Sequence, residues 1–184
     1  LVRSRGLGDV YKRQQEVSVE SYQSSGIHVL KTGTLEQNVL GKSGDIICID
    51  WGYFYLAGKQ TEASDMSMGA PVSIQKSFAE KGILPVTKTT RTSARLDKDE
   101  TLLAYSENMG NVKEQKAEGY LMIGYDDIAS VQYFGQNLKA YWKKKYPTME
   151  AALADARKNY IKTMQRCDEW DYKVMKDAVE AGGQ

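Results

Sequence analysis

The sequence has few of the residues from which metal and redox sites are built. Among its 184 residues it has one histidine, His28, and two cysteines, Cys48 and Cys167, which are far apart. This spacing matches neither a zinc site nor a CxxC pair, so no metal ion and no cofactor are expected. Cys48, in an apolar strand, and Cys167, on an apolar helix face, are predicted to be buried core residues. His28 is predicted to lie at the surface or at a strand edge. No apolar run approaches the about 20 residues of a membrane-spanning helix.

The formal net charge of +1 depends on the first 14 residues. Residues 9–14 read DVYKRQ, the translation of a transposon end that is used as a sequencing adapter, and the preceding residues fit the same adapter. We interpret residues 1–14 as an adapter-derived scar, with a natural basic arm as the alternative, and we expect the chain to be a fragment. Removing Arg3, Arg5, Lys12 and Arg13 against Asp9 takes away +3, which leaves +1 − 3 = −2. No basic patch for a nucleic acid remains.

Residues 15–125 read as short strands separated by Gly, Ser and Asn. The strongest strand prediction covers residues 45–57, where apolar residues on both faces predict a strand covered on both sides. Asp50 interrupts this pattern, and Gly52 predicts a bulge or the close approach of another backbone. Further strands are predicted at 15–23, 27–30 and 72–82, with a hairpin formed by 102–107 and 113–125. Residues 58–69 and 87–100 are predicted to be loops.

Helix is predicted over most of the chain after residue 147. Thr148 is a good N-cap and Glu150 suits the positive end of the helix dipole. Apolar residues then recur at steps of three and four as far as Ala178, with a break predicted near Asn159 and an end at residues 182–183. A stripe of this length needs partner helices.

Residues 124–142 lie where the apolar period changes from two to about 3.6. Asp126 and Asp127 are the best candidates for catalytic carboxylates, and capping of a following helix or fixing of the junction is the structural alternative. Tyr133 and Trp142, with Phe134 and Tyr141, provide aromatic faces for a sugar or for interdomain packing. Asp50 and Trp51 present the same choice. We therefore treat Asp50, Trp51, Tyr133 and Trp142 as candidate substrate-binding residues.

Several ordered motifs resemble the glutaminase A family: residues 49–57 (IDWGYFYLA), 124–128 (GYDDI), 133–138 (YFGQNL) with Tyr141 and Trp142, and 167–171 (CDEWD). The resemblance implies a secreted or periplasmic protein that combines a β-sandwich with a six-hairpin (α/α) barrel. It implies an α+β fold here, with the end of an antiparallel sandwich at 15–125 and the first helices of an incomplete barrel at 126–184. It also implies hydrolysis of L-glutamine to L-glutamate and ammonia.

Three functions remain open at this point. The chain is part of a glutaminase-like hydrolase, part of a six-hairpin glycosidase acting on glycans, or a non-catalytic binding module. No Ser-His-Asp or Cys-His arrangement is apparent in the sequence, and an inverting glycosidase needs two carboxyl groups about 6.5–9.5 Å apart. The expected partners are a small-molecule or glycan substrate and the remaining helices of the barrel. The isolated chain is expected to be inactive.

Overall fold

The fold is α+β, as predicted, with antiparallel sheets and three α-helices among the residues that the structure describes. The computed structural model describes residues 16–41, 51–85, 91–95, 101–112 and 116–183. The strands are β1 (Glu16–Ser24), β2 (Ile27–Thr34), β3 (Tyr53–Lys59), β4 (Ser64–Gly69), β5 (Arg91–Arg95), β6 (Leu102–Glu107), β7 (Met122–Asp126), β8 (Val131–Tyr133) and β9 (Gln136–Leu138). The helices are α1 (Pro71–Lys81), α2 (Met149–Lys158) and α3 (Tyr160–Gly182), and a 3₁₀ turn covers Tyr141–Lys144.

The central element is a five-stranded antiparallel sheet in the order β5-β1-β2-β3-β7, with the hydrophobic core on both of its faces. One face packs against α2, where the buried residues are Ile27, Val29, Tyr55, Ala57, Met149 and Leu153. The other face packs against the two-stranded sheet of β4 and β6, where Leu30, Leu56 and Met66 are buried. The prediction that β3 is covered on both sides is therefore confirmed within its described residues. The layer on one side of the five-stranded sheet is the helix α2, and the layer on the other side is the sheet of β4 and β6.

Residues 71–81 form α1, so the strand predicted at 72–82 is wrong. Pro71 opens the helix in its first turn, where its missing N–H costs nothing. Ile74 and Phe78 are four residues apart and share a helix face, and Ile74 is buried. Gly82 ends the helix in the left-handed conformation and donates its N–H to the Phe78 carbonyl.

Three other predictions in the β part are corrected. Residues 58–69 include β4, where Met66 and Met68 are buried although their neighbours are polar. Residues 87–100 include the short strand β5. The predicted hairpin of 102–107 with 113–125 does not form, because β6 pairs with β4 and β7 pairs with β3. The predicted strand at 45–57 begins at Tyr53 within the described residues, and 42–50 lie outside them.

The helical predictions after residue 147 are confirmed. Thr148 caps α2 by accepting a hydrogen bond from the Ala151 N–H, and Glu150 lies in its first turn. The break falls at Asn159, between α2 and α3. None of the residues of α3 is buried, so Cys167 is exposed rather than a core residue. Within the part of the chain that the structure describes, no helix is long and apolar enough to cross a membrane.

Candidate functional site

The loop of residues 126–130 follows β7 and carries both candidate carboxylates. The Oδ1 atom of Asp126 accepts the Ile128 N–H at 2.8 Å and lies 2.5 Å from Lys143 Nζ. Lys143 Nζ also donates to the Ile128 carbonyl at 3.1 Å. Both side chains of the ion pair are largely buried, with 15% of Lys143 and 16% of Asp126 exposed. Asp126 therefore holds the loop together.

Ile128 lies in the left-handed region at φ +62°. A β-branched side chain is unfavourable there, and the left-handed conformation costs about 1–2 kcal/mol for an L-residue. The surrounding hydrogen bonds keep the backbone in this strained conformation.

The residues that precede β3 pack directly on this loop. Buried Trp51 donates its Nε1–H to the Ala129 carbonyl at 3.3 Å. Gly52 adopts φ +96°, and a Cβ atom at that position would overlap the Asp126 carbonyl oxygen. The close approach predicted for Gly52 is confirmed. Because Trp51 is buried and bonded to the loop, it supports the loop and leaves little indole surface for a ligand.

The two aspartates have different surroundings. Asp127 is half-buried, and no hydrogen bond or ion pair reaches its carboxylate from the residues that the structure describes. The alternative that Asp126 or Asp127 caps a following helix is wrong for the described helices. The strands β8 and β9 and the 3₁₀ turn lie between the aspartates and α2, and α2 is capped by Thr148. The loop thus presents one bound carboxylate, Asp126, and one unbound carboxylate, Asp127.

The aromatic candidates divide into exposed and packed rings. Tyr133 is 60% exposed, Phe134 88% and Tyr141 81%. The rings of Tyr133 and Phe134 meet edge to face with their centroids 4.5 Å apart. Trp142 instead packs against the core cluster beneath α2. Asp50 lies outside the described residues. Of the other five predicted site residues, three lie in the loop or bond to it: Trp51, Asp126 and Asp127.

Residues 9–177 match the protein family described as a domain of unknown function, DUF5127. The match covers well over half of the chain. The chain belongs to the DUF5127 family.

The DUF5127 chain is also similar to a protein named Glutaminase A from Aspergillus oryzae (strain ATCC 42149 / RIB 40). The two are 24% identical over 140 residues, which is 73% of this chain and 20% of the Aspergillus protein. The chain thus spans about a fifth of the length of that relative. No solved structure matches it.

Sequence reasoning missed a second polar cluster of the DUF5127 chain, where the sheet meets the start of α2. Tyr22 donates its hydroxyl proton to Glu150 Oε1 at 2.5 Å, and Lys31 Nζ lies 4.2 Å from the ring centroid of Tyr53. Burial raises the pKa of Tyr22, and the hydrogen bond to Glu150 raises it further. Burial and the Glu150 charge likewise raise the pKa of Tyr55. Alternation of polar residues on β1 and β2 is the only sequence signal for this cluster.

His28 was predicted at the surface or at a strand edge, and that prediction is wrong: it is half-buried in β2, an inner strand of the five-stranded sheet. Its Nε2 is 2.9 Å from Ser21 Oγ on the neighbouring strand. Burial lowers the pKa of His28, and the charge of Asp65 opposes that shift. Within the described residues, no group of three or more His, Cys, Asp or Glu side chains is arranged to hold a metal ion.

An apolar cleft of about 710 Å³ lies between the five-stranded sheet and the layer of β6 and α1. Its lining includes Phe54, Leu56, Phe78, Leu103 and Tyr105. Among the residues that the structure describes, none that lines the cleft carries a carboxylate. Burial, helped by the hydrogen bond to Glu107, raises the pKa of Tyr105 to about 12. This apolar lining suits the packing of apolar side chains better than the catalysis of a hydrolysis reaction.

Proposed function

We propose that this chain is part of a glutaminase-like hydrolase that converts L-glutamine to L-glutamate and ammonia. The observation that carries the proposal is the similarity to Glutaminase A over 140 residues. The ordered motifs at 49–57, 124–128 and 133–138 support it, because the first two come together in one place: Trp51 and Gly52 pack on the 126–130 loop.

Within this proposal, Asp127 is the carboxylate that meets the substrate. No described residue bonds to its oxygens, which are able to accept hydrogen bonds from a substrate ammonium group or to take a proton from water. Asp126 is unsuited to that role because Lys143 and the Ile128 N–H already occupy its Oδ1 atom.

The proposed arrangement places a sandwich domain at residues 15–125 and the start of a helical domain at 126–184. The exposed apolar side chains of α3 support further helices beyond this chain, since eight large apolar residues of that helix are exposed: Tyr160, Ile161, Met164, Trp170, Tyr172, Val174, Met175 and Val179. The longer protein is proposed to be secreted or periplasmic, and the isolated 184-residue chain to be inactive.

A glycan-active hydrolase is the second candidate, and the exposed rings of Tyr133, Phe134 and Tyr141 favour it. Aromatic faces this open to solvent offer stacking surfaces to a sugar ring, and exposing them otherwise has an unfavourable free energy.

The deciding experiment uses the longest natural protein that contains this sequence. Ammonia release from L-glutamine, abolished by Asp127→Asn and retained in Lys144→Met, supports the glutaminase proposal. Cleavage of a glycan without ammonia release supports the second candidate. Sugar or protein binding with neither reaction leaves only the non-catalytic alternative.

A further inference from the structure

We propose that Lys143 is the positioning residue of the 126–130 loop and that it fixes the backbone of Asp127, whose carboxylate meets the substrate. This inference rests on the proposed function, in which Asp127 contacts the substrate. Lys143 itself touches no group of Asp127 in the described contacts, so its action is indirect.

Lys143 holds the loop at two points. One ammonium group bonds to the side chain at the start of the loop, Asp126, and to the main chain at its centre, the Ile128 carbonyl. Asp127 is the residue between these two points. Its Cα is therefore fixed from both sides, while its own side chain has no partner among the described residues.

The backbone of Ile128 is strained, at φ +62°. A left-handed β-branched residue persists only where its surroundings over-determine the backbone, and such positions are concentrated at ligand-binding and active sites. Four further hydrogen bonds hold this loop. The Ile128 N–H donates to Asp126 and the Ala129 N–H to the Asp127 carbonyl. Trp51 donates to the Ala129 carbonyl, and the Ser130 N–H donates to the Leu138 carbonyl. Lys143 is the only member of this set that contacts both Asp126 and the Ile128 carbonyl within the described residues.

Lys143 is also anchored by its position in the fold. It lies in the 3₁₀ turn, next to Trp142, which packs in the core beneath α2. The lysine that holds the loop is thus next in sequence to a ring that packs against the core. The neighbouring lysine, Lys144, lies over the exposed Tyr141 ring, so it provides a matched control.

The first test measures the loop without any assay of activity. Hydrogen–deuterium exchange of the peptide 126–131 is followed in the 184-residue chain, with β2 as an internal reference. Lys143→Met is expected to speed exchange of this peptide at least about tenfold, and Lys144→Met to change it less than about twofold. Adding Ile128→Asn to Lys143→Met is expected to recover part of the protection, because Asn tolerates the left-handed conformation.

Equal exchange in Lys143→Met and Lys144→Met overturns the inference. If Lys143→Met does not fold, Asp126→Asn replaces it, since this variant loses the ion pair and keeps an oxygen for the Ile128 N–H. Unchanged exchange of the loop in Asp126→Asn also overturns the inference.

The second test uses the longer natural protein and separates this inference from the proposed function. Lys143→Met is expected to lower kcat at least about tenfold with little change in KM, and Lys143→Arg, which keeps the charge, to restore most of the rate. Loss of activity in Asp127→Asn with full activity in Lys143→Met overturns the positioning role and leaves the proposed function standing. Full activity in Asp127→Asn overturns the role of Asp127 and, with it, the positioning inference. This holds even if hydrogen–deuterium exchange of the peptide 126–131 is faster in Lys143→Met than in Lys144→Met.

Discussion

The hydroxyl group of Tyr22 donates a hydrogen bond of 2.5 Å to Glu150 Oε1, across a separation of 128 residues. It joins the first strand of the sheet to the first turn of α2. The contact lies beside the buried cluster of Tyr55, Met149 and Leu153, so it is a polar bond at the edge of an apolar interface.

Replacing Tyr22 with Phe removes this bond and leaves the ring in place. We expect a loss of about 1.5–3 kcal/mol in the free energy of unfolding, because a hydrogen bond to a charged group is removed. Urea denaturation measures the change. Tyr172→Phe, at an exposed position on α3, is the control and should change the free energy by less than about 0.5 kcal/mol. Equal changes in unfolding free energy in Tyr22→Phe and Tyr172→Phe would show that the hydrogen bond of Tyr22 does not stabilise the fold.

The carboxylate of Glu150 is expected to make the free energy of unfolding depend on pH. Burial alone raises the pKa of Glu150, but hydrogen bonds from Tyr22, from its own backbone N–H and from Thr148, with the nearby charge of Lys31, hold it below the usual 4.5. The folded state therefore binds this proton less readily than the unfolded state. The stabilisation is fully present above pH 4.5 and is lost as the pH falls through the lower folded pKa.

Glu150→Gln tests this linkage. The difference in unfolding free energy between the parent and the variant should shrink as the pH is lowered from about 6 to about 3. A difference that stays constant, or that grows in acid, contradicts the lowered pKa. Glu180→Gln, at the exposed end of α3, provides the comparison.

Gly52→Ala tests the close approach of the chain to the loop. A Cβ atom would overlap the backbone oxygen of Asp126, and the φ of +96° disfavours any side chain. We expect a loss of about 2–4 kcal/mol, beyond the roughly 1 kcal/mol of a left-handed Ala alone. Gly110→Ala isolates that smaller cost, because its φ is +66° and its surroundings are open. Similar losses from the two variants would contradict the close approach.

Leu153→Ala tests the docking of α2 on the sheet. Leu153 is 5% exposed and packs in the cluster with Ile27 and Met149, so its truncation should cost about 2–4 kcal/mol. Val174→Ala in α3, where half of the side chain is exposed, should cost less than about 1 kcal/mol. Thermal unfolding compares them. A larger loss at Val174 would mean that α3, rather than α2, carries the packing.

Phe134→Asn is expected to stabilise the hairpin of β8 and β9. Phe134 and Gly135 form its two-residue loop with φ of +45° and +76°, and such a turn favours Asn at the first position. Amide exchange of the hairpin should slow about two- to fivefold, which corresponds to about 0.5–1 kcal/mol. Tyr141→Asn removes a similarly exposed ring outside this turn and should not slow exchange. Faster exchange in Phe134→Asn would contradict the strain at this turn.

The sequence features that predicted structure correctly are local ones. Thr148, Glu150 and Asn159 mark the start and the break of the helices through capping and propensity, which act within one turn. Gly52 was predictable because glycine weakens the interior of a strand and occurs there mainly at bulges and close backbone approaches. The error at α1 has the same local character: Val72 and Ile74 fit a period of two, which hides the helical spacing of Ile74 and Phe78.

The contacts that define the candidate site have no such local signal. Lys143 reaches Asp126 only because two short strands and a turn fold the chain back between them. β7 pairs with β3, which lies more than 60 residues earlier, rather than with the nearer β6, and no local pattern marks that choice. The GYDDI motif alone does not show which aspartate is ion-paired. The structure does, because Lys143 pairs with Asp126.

The position of β7 at the edge of the five-stranded sheet has a consequence during synthesis. Lys59 ends β3, and Asp126, which pairs with Tyr53, follows it by 67 positions (126 − 59). At translation rates of about 5–20 residues per second, β3 waits roughly 3–13 s for this partner. For that time β3 pairs with β2 on one side and exposes its other edge to wrong pairing, so the newborn chain is expected to depend on chaperones most strongly before residue 126 emerges from the ribosome.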